Sequence, residues 1–335
     1  MGLDFNSIKF LLWSKNLGVA FDRTLTLGRQ GLTCSRGRLG RAFQNFGLSV
    51  TDGEVDLCFK REAFTELYAD DFLKLLGVKE MVSVDYSDFE GATLLHDLNQ
   101  PFPGHLLGSF DLVIDGGTLE HIYNYPDALS HCLGLLRVGG HFVAVTPASG
   151  QMGHGFYQFS PELFFRFFSM ERGFVLRKIV AYDCSKINSP FYEVEDPATT
   201  RQRTGLVGKK VIQLAVLAQK TAQAPLTLDP PQQSDYAAIW DEHKKTVAQT
   251  DGSPSKVPGL VHRLRTALNP YWPFWLRDLR DDCRHHCNYG YGLFALKSRL
   301  TNRRHFRRLA NKDIFSERGG PWLTRPTKPW QLTGE

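Results

Sequence analysis

Short apolar runs alternate with helix-like stretches over most of the first 220 residues. Apolar runs bounded by turn residues predict buried strands. Strands that alternate with helices predict βαβ units, a mainly parallel sheet and an α/β fold with helices on both faces. The predicted strands are Thr24–Leu27, Met81–Asp85, Thr93–Leu98, Phe110–Ile114, His141–Val145, Phe174–Tyr182 and Val211–Ala218.

Three stretches between these runs have helical character. Glu62–Leu76 repeats apolar positions at steps of three and four residues, and Gly77 follows where a left-handed residue would end the helix. Tyr125–Leu136 also predicts a helix. Pro161–Met170 predicts a third, because Ser160 precedes it as a cap and proline is favoured at a first helical position.

The composition of the chain divides it into three parts. Residues 1–220 form the predicted α/β domain, with a polar, Gly- and Arg-rich inserted loop at about 32–56. Residues 221–255 are rich in Pro, Gln, Ser and Thr, which indicates a linker with room for one short helix. Residues 256–335 are basic and aromatic, and we expect a helical or irregular extension there.

Charge is distributed unevenly along the chain. Its 335 residues carry a net charge of +5, but from Val257 onward there are 15 Lys and Arg against 6 Asp and Glu. This basic extension is a candidate contact for an anionic surface or an acidic substrate. No nucleic-acid-binding motif accompanies it, so nucleic acid is not the expected partner.

The sequence predicts an intracellular protein. No apolar run reaches the roughly 20 residues of a membrane helix, and the apolar segment Ile8–Trp13 lacks a signal-peptide pattern. We expect a cytoplasmic location, with peripheral membrane contact as an alternative. Six scattered cysteines indicate reduced thiols. The cluster Cys283–Cys287 contains two histidines, but no second ligand pair follows it, so no metal site is predicted.

Polar residues follow several predicted strands at the point where each strand ends. In an open parallel sheet, ligands bind beyond these carboxyl ends. Asp85 follows the second strand, Asp97 the third and Asp115 the fourth, with Gly116 after it. A carboxylate at such a position can accept hydrogen bonds from ribose hydroxyls, and glycine lets a ligand approach the backbone.

In this order and spacing, the segments resemble one large family. Phe110–His121 and Leu136–Pro147 are similar to the fourth- and fifth-strand regions of S-adenosylmethionine-dependent methyltransferases with a seven-stranded Rossmann-like fold. The resemblance runs from about Thr24 to Lys220. Gly153–Pro161 resembles a subgroup linked to glycan or polysaccharide biosynthesis.

The resemblance implies S-adenosylmethionine as the cofactor and an antiparallel last strand, Val211–Ala218. It assigns roles to six residues by position. Asp85 would hold the ribose, Tyr86 would lie against the nucleoside, Asp97 and Leu98 would frame the adenine, and Asp115 and Gly116 would border the methionine portion.

The first strand departs from the family pattern. The family shows an acidic residue and then Gly-x-Gly after this strand, whereas here Thr26 replaces the acid and Gln30 replaces the second glycine. Gly28 keeps the first glycine. Arg29 is expected to pair with the cofactor's carboxylate in a charge-assisted bond.

Two histidines are candidates for the chemistry that the resemblance implies. Methyl transfer to an oxygen acceptor, on a small molecule or a glycan, is an in-line displacement in which a hydroxyl needs a base. Imidazole titrates near neutrality, and His121 and His154 follow the fourth and fifth strands. The alternative for His121 is a helix-end residue bonded to backbone. Tyr157 and Gln158 are candidates to orient the acceptor.

Two competing functions remain open. The changed first-strand turn is compatible with a catalytically inactive member of the fold that acts as a scaffold or binding module. A nicotinamide-dependent enzyme is disfavoured, because no G-x-G-x-x-G follows the first strand.

Overall fold

A computed structural model describes residues 2–60, 67–206, 210–224, 230–250, 300, 302–310 and 313–314. The chain forms two compact units. The first contains residues 1–193, 210–229 and 309–335, and the second contains residues 194–209 and 230–308. The candidate site lies wholly within the first unit.

Eleven strands and eight α-helices make up the described part of the chain. The strands are β1 (Gly2–Asp4), β2 (Arg23–Leu27), β3 (Gly31–Thr33), β4 (Glu80–Asp85), β5 (Leu94–Leu95), β6 (Phe110–Asp115), β7 (Leu136–Ser149), β8 (Phe174–Asp183), β9 (Tyr192–Val194), β10 (Ile212–Lys220) and β11 (Phe306–Arg308). The helices are α1 (Phe5–Asn16), α2 (Arg36–Asn45), α3 (Asp52–Leu57), α4 (Asp70–Leu75), α5 (Tyr125–Gly134), α6 (Pro161–Phe167), α7 (Pro197–Thr200) and α8 (Ser234–Thr250).

The main sheet has the strand order β11-β9-β8-β10-β7-β6-β2-β4-β5. Strands β5, β4, β2, β6 and β7 are parallel. Numbered along the chain, these five follow the order 3-2-1-4-5 of a doubly wound Rossmann-like sheet. Strand β10 is antiparallel to both β7 and β8, as the resemblance implies.

All seven predicted strands are present, but within the described residues the sheet has nine strands rather than seven. The additional ones, β9 and β11, contain three residues each. Runs this short carry too little periodicity to be read from sequence. Strand β6, by contrast, is buried along its whole length, which is why its sequence is almost continuously apolar.

Helix α1 was not predicted, because its sequence has little amphipathic pattern. It lies in the core, with Phe10, Leu11, Leu12 and Trp13 all buried. Asn6, Ser7 and Ser14 are buried together with these apolar residues, so the sequence shows no clear period from which to recognise the helix. The carboxylate of Asp4 caps its first turn by accepting from the Ser7 amide at 2.7 Å.

Residues 32–56 are not the irregular loop that their composition predicted. They contain helix α2 and most of helix α3, and the side chains of Leu39 and Phe43 are buried. Arg36 forms ion pairs with Asp52, at 3.4 Å, and with Asp56, which tie the two helices together. Gly and Arg in this segment therefore sit on helices whose apolar positions are few but buried.

Two other predicted regions are described only in part. Helix α8 occupies much of the predicted linker 221–255. Of the basic extension, the described residues include strand β11 and the segment before it. Phe306 is buried, whereas Arg303, Arg304, Arg307 and Arg308 are exposed. The cluster Cys283–Cys287 lies outside the described residues. No helix in the described ranges is long and apolar enough to cross a membrane.

Candidate active site

The parallel strands carry most of the predicted site residues to one edge of the sheet. Leu27 is in register with both Val84 of β4 and Asp115 of β6. Gly28, Asp85 and Gly116 therefore follow at similar heights on three neighbouring strands. Asp85 is in turn level with Leu95 of β5, two residues before Asp97. The sheet thus assembles these groups because its strands are parallel and in this order.

Asp85 and Tyr86 lie at the open part of this edge. The Asp85 carboxylate is partly exposed and accepts a hydrogen bond from the Tyr86 amide at 2.7 Å. The Tyr86 side chain is 79 % exposed. Both side chains are therefore accessible to a ligand.

Asp97 and Leu98 form the neighbouring turn. The Asp97 carboxylate accepts from the backbone amide of Asn99 at 2.9 Å and from its side-chain amide at 2.8 Å. These bonds lower the pKa of Asp97, the backbone bond most strongly. Leu98 is buried. Asp97 is thus an ionised, fixed acceptor beside an apolar side chain, a combination that suits a flat, amino-bearing ring.

Asp115 is turned toward its own loop. Its carboxylate accepts from the amides of Thr118 at 2.8 Å and Leu119 at 3.4 Å, and it is buried. Burial raises its pKa despite these bonds. Asp115 thus shapes the turn that carries Gly116 and His121, and its side chain is occupied by that turn.

Gln30 fills the space between the first turn and Gly116. Its amide nitrogen donates to the carbonyls of Leu27 at 2.5 Å and Gly28 at 3.4 Å. Its carbonyl oxygen lies against Gly116, where an added Cβ would collide with it. That buried oxygen has no hydrogen-bond partner among the described residues.

This edge of the sheet therefore has two halves, and they differ in how much space they leave for S-adenosylmethionine. The nucleoside half, with Asp85 and Asp97, has accessible carboxylates where the ribose and adenine are expected. The methionine half, between Gly28 and Gly116, is filled by the Gln30 carboxamide. A ligand group that enters there has to displace this side chain.

Arg29 is already engaged with other parts of the protein. Its guanidinium donates to one oxygen of Asp70 through two nitrogens, at 3.0 and 2.7 Å, and to the Glu90 carbonyl at 3.2 Å. It also lies over the Tyr68 ring, 4.0 Å from the centroid. A cofactor carboxylate would have to share this guanidinium with Asp70, which weakens the expected pairing.

The two predicted histidines lie together. The rings of His121 and His154 meet edge to face with centroids 4.9 Å apart. His121 follows β6 and His154 follows β7, two neighbouring parallel strands, so the sheet brings them to the same edge. Burial and the neighbouring His154 lower the pKa of His121, which favours its neutral form at pH 7.

Glu120 lies beside the two histidines, and the sequence analysis did not predict it as a site residue. One of its carboxylate oxygens lies 3.5 Å from Nε2 of His154, and its side chain is only 1 % exposed. The other oxygen has no hydrogen-bond partner among the described residues. Burial and the nearby Asp115 raise the pKa of Glu120. The sequence did contain a signal for this residue, because Glu120 directly precedes the candidate base His121.

Main-chain hydrogen bonds fix the loop that carries His154. The Glu120 carbonyl accepts from the amides of Phe156 at 2.8 Å and Tyr157 at 3.2 Å. The Tyr157 hydroxyl donates to the Tyr123 carbonyl. The Gln158 side-chain oxygen accepts from the Gln151 amide at 2.9 Å. Tyr157 and Gln158, predicted to orient an acceptor, thus hold the loop in place.

Comparison with known proteins gives structural neighbours but no sequence relatives. Neither the models of known protein families nor the curated protein sequences contain a match. Solved structures do. A methyltransferase from Thermotoga maritima is 13 % identical over 64 % of this chain and 91 % of its own, with a TM-score of 0.34.

Two further neighbours are a 1,6-didemethyltoxoflavin-N1-methyltransferase from Burkholderia thailandensis and a methyltransferase from Mesorhizobium loti. The first is 13 % identical over 65 % of this chain and 78 % of its own, with a TM-score of 0.33, and holds S-adenosylhomocysteine. The second is 17 % identical over 41 % and 54 %, with a TM-score of 0.23.

These neighbours are S-adenosylmethionine-dependent methyltransferases. Their TM-scores all lie below 0.5, so nothing about the activity of this chain is taken from them. The strand order of this chain and its antiparallel β10 are those of a Rossmann-like fold.

Proposed function

We propose that the chain is an S-adenosylmethionine-dependent methyltransferase that acts on an oxygen acceptor of a small molecule or glycan. One observation carries the proposal. The parallel strands present two carboxylates suited to a nucleoside, Asp85 and Asp97, at the same sheet edge as the histidine pair His121 and His154. The fold supports this proposal, and the resemblance in sequence names the family.

Each group has a defined task in this proposal. Asp85 accepts hydrogen bonds from the ribose hydroxyls, and Asp97 accepts from the adenine amino group while Leu98 packs beside it. S-adenosylmethionine, when bound, supplies an electrophilic methyl group. The His121–His154 pair removes the proton of the acceptor hydroxyl, a contribution of typically about 10²–10⁴ to the rate. Alignment of the reactants contributes the larger share.

Calorimetric titration with S-adenosylmethionine tests the cofactor half of the proposal. We expect micromolar binding that weakens at least about 10-fold in Asp85→Ala, because the ribose loses a charge-assisted partner worth about 1.5–3 kcal/mol. Asp88→Ala is the matched control, since Asp88 is an exposed carboxylate three residues further on. Equal affinity in both variants, or no binding at millimolar ligand, would contradict the proposal.

One observation favours a second candidate, a scaffold or binding module without catalytic activity. The Gln30 carboxamide occupies the methionine half of the site and satisfies the carbonyls of the first turn internally. In this case the wild-type chain would show no cofactor binding in the same titration.

The basic extension and the location of the protein belong to the same proposal. We infer a cytoplasmic protein whose basic residues beyond Val257 contact an anionic surface or substrate. The exposed side chains of Arg303, Arg304, Arg307 and Arg308 support a charged surface there.

A further inference from the structure

Glu120 is a buried acid to which the methyl-transfer proposal assigns no role. A buried carboxylate costs free energy unless it is paired or binds a metal. The Glu120 side chain is only 1 % exposed. Among the described residues, its only ion-pair contact is His154 at 3.5 Å, and one of its oxygens has no hydrogen-bond partner.

The groups around that carboxylate have the composition of a metal site. Glu120, His121 and His154 each offer one ligand atom, and these atoms all lie within 4.8 Å of one another. Two imidazoles and one carboxylate form a ligand set that binds Zn²⁺ in catalytic sites and leaves a further position open. Imidazole nitrogen also suits other late transition metals.

We propose that Glu120, His121 and His154 form a binding site for a divalent transition-metal ion such as Zn²⁺. The site goes beyond the proposed function, because it requires neither S-adenosylmethionine nor an acceptor. A bound ion would supply positive charge beside the Glu120 oxygen that has no hydrogen-bond partner among the described residues.

The distances allow the site to close with small movements. Bonds of about 2.0–2.1 Å from Zn²⁺ to nitrogen place tetrahedral ligand atoms about 3.4 Å apart. The contact between Glu120 and His154 is already 3.5 Å. The remaining separation, up to 4.8 Å, can contract by side-chain rotation, because both histidines are exposed while Glu120 is held in place by burial.

Backbone hydrogen bonds hold the segments that carry the three ligands close together. The carbonyl of Glu120 accepts from Phe156 and Tyr157, which fixes the loop that carries His154. His121 follows Glu120 directly in a short 3₁₀ turn. Two ligands thus belong to one turn and the third to a loop bonded to that turn, which is a preorganised arrangement.

A metal at this point would change how the acceptor loses its proton. A hydroxyl bound at the open position of a divalent metal has a lowered pKa. The imidazoles would then act as ligands, and an external base such as water would carry the proton away. Methyl transfer itself is compatible with this arrangement, although the histidine pair would then no longer be the base. The metal site depends on neither route.

Titration of the metal-free full-length protein with ZnCl₂ tests the site directly. The cluster Cys283–Cys287 contains other potential ligands, so the titrations use a background in which Cys283 and Cys287 are replaced by Ser. We expect one Zn²⁺ per chain with a Kd below about 10 μM. Because the ligands are nitrogen and oxygen, Co²⁺ in place of Zn²⁺ should show no thiolate charge-transfer absorption.

Three variants locate the ion. Glu120→Gln keeps the shape of the side chain but removes its charge, and His121→Ala and His154→Ala each remove one exposed ligand. Each should weaken Zn²⁺ binding at least about 10-fold. His105→Ala, which changes an exposed histidine elsewhere, should bind as the parent does. Absence of binding by the parent, or parent-like affinity in all three variants, would overturn the proposal. Neither result depends on the S-adenosylmethionine titration.

Discussion

The Gln30 side chain determines how much of the candidate site a ligand can enter. Its carboxamide donates to the carbonyls of Leu27 and Gly28 and lies against Gly116. In the family that the sequence resembles, a glycine at this position leaves the turn open. Here the turn is closed by Gln30, whose side-chain oxygen has no hydrogen-bond partner in the part of the chain that the structure describes.

Replacing Gln30 by Gly should therefore tighten S-adenosylmethionine binding. We expect about a 5-fold gain, because the ligand no longer has to displace a buried hydrogen-bonded side chain whose bond is worth about 1 kcal/mol. Calorimetric titration of both proteins measures the change. If the variant binds more weakly than the wild type, Gln30 is a ligand of the cofactor and not an obstacle to it.

His141 is a second residue whose environment makes a measurable difference. It is buried in β7, and desolvation, followed by the charges of Arg177 and Arg137, lowers its pKa from 6.5 to about 4. The neutral form is therefore favoured in the fold, and the unfolded chain binds more protons between these two values. Stability from this group is complete above pH 6.5 and is lost as the pH falls through about 4.

His141→Gln should remove this part of the pH dependence. Between pH 7 and pH 4, the wild type should lose about 2–3 kcal/mol more of its free energy of unfolding than the variant. Urea denaturation at both pH values gives the comparison, with the exposed His105→Gln as the control. Parallel losses in the wild type and His141→Gln would mean that His141 is not desolvated as described.

At the scale of elements, the connection after β7 determines where His154 lies. Gly155 has a φ of 71°, a conformation that side chains with a Cβ rarely adopt. A Cβ added there would lie 2.8 Å from the Glu120 carbonyl oxygen. The close approach of this loop to Glu120 thus depends on a glycine at this position.

Gly155→Ala should push the loop away from Glu120. We expect a loss of roughly 1–3 kcal/mol in the free energy of unfolding, from backbone strain and the clash, together with weaker Zn²⁺ binding. Urea denaturation and calorimetry measure the two effects. Gly153→Ala is a matched control, since its added Cβ meets no atom within 4 Å. An equal effect of the two substitutions would show that the close approach at Gly155 does not matter.

The same scale explains which elements the sequence predicted. Strand β6 was recognisable because a parallel strand that is buried along its whole length needs a continuous apolar run. Helix α1 was not predicted, because its buried positions carry both polar and apolar residues and no separate polar face marks its period. The sequence predicted a loop in place of α2 and α3 because Gly and Arg make up half of α2 and because α3 is short and acidic, although Leu39 and Phe43 anchor α2 in the core.

At the scale of the whole molecule, the sheet order is what creates a site from distant segments. Residues after β2, β4, β5, β6 and β7 are spread over more than a hundred positions, and parallel pairing places their carboxyl ends at one edge. The insertion of β10 between β7 and β8 completes the topology that the resemblance implies. The uneven charge of the chain predicts contact with an anionic surface or substrate. This stays a prediction, because most of the basic extension lies outside the described residues.

From the sequence alone, one could derive the α/β fold, the strand ends that carry Asp85, Asp97 and Asp115, and the two histidines. These follow from local patterns, because burial fixes apolar periodicity and strand ends fix where polar residues appear. Only the tertiary structure decided that Gln30 fills the first turn, that Asp115 is occupied by its own loop, and that Glu120 faces His154. These facts depend on side-chain direction and on contacts between segments far apart in the chain, which no local pattern encodes.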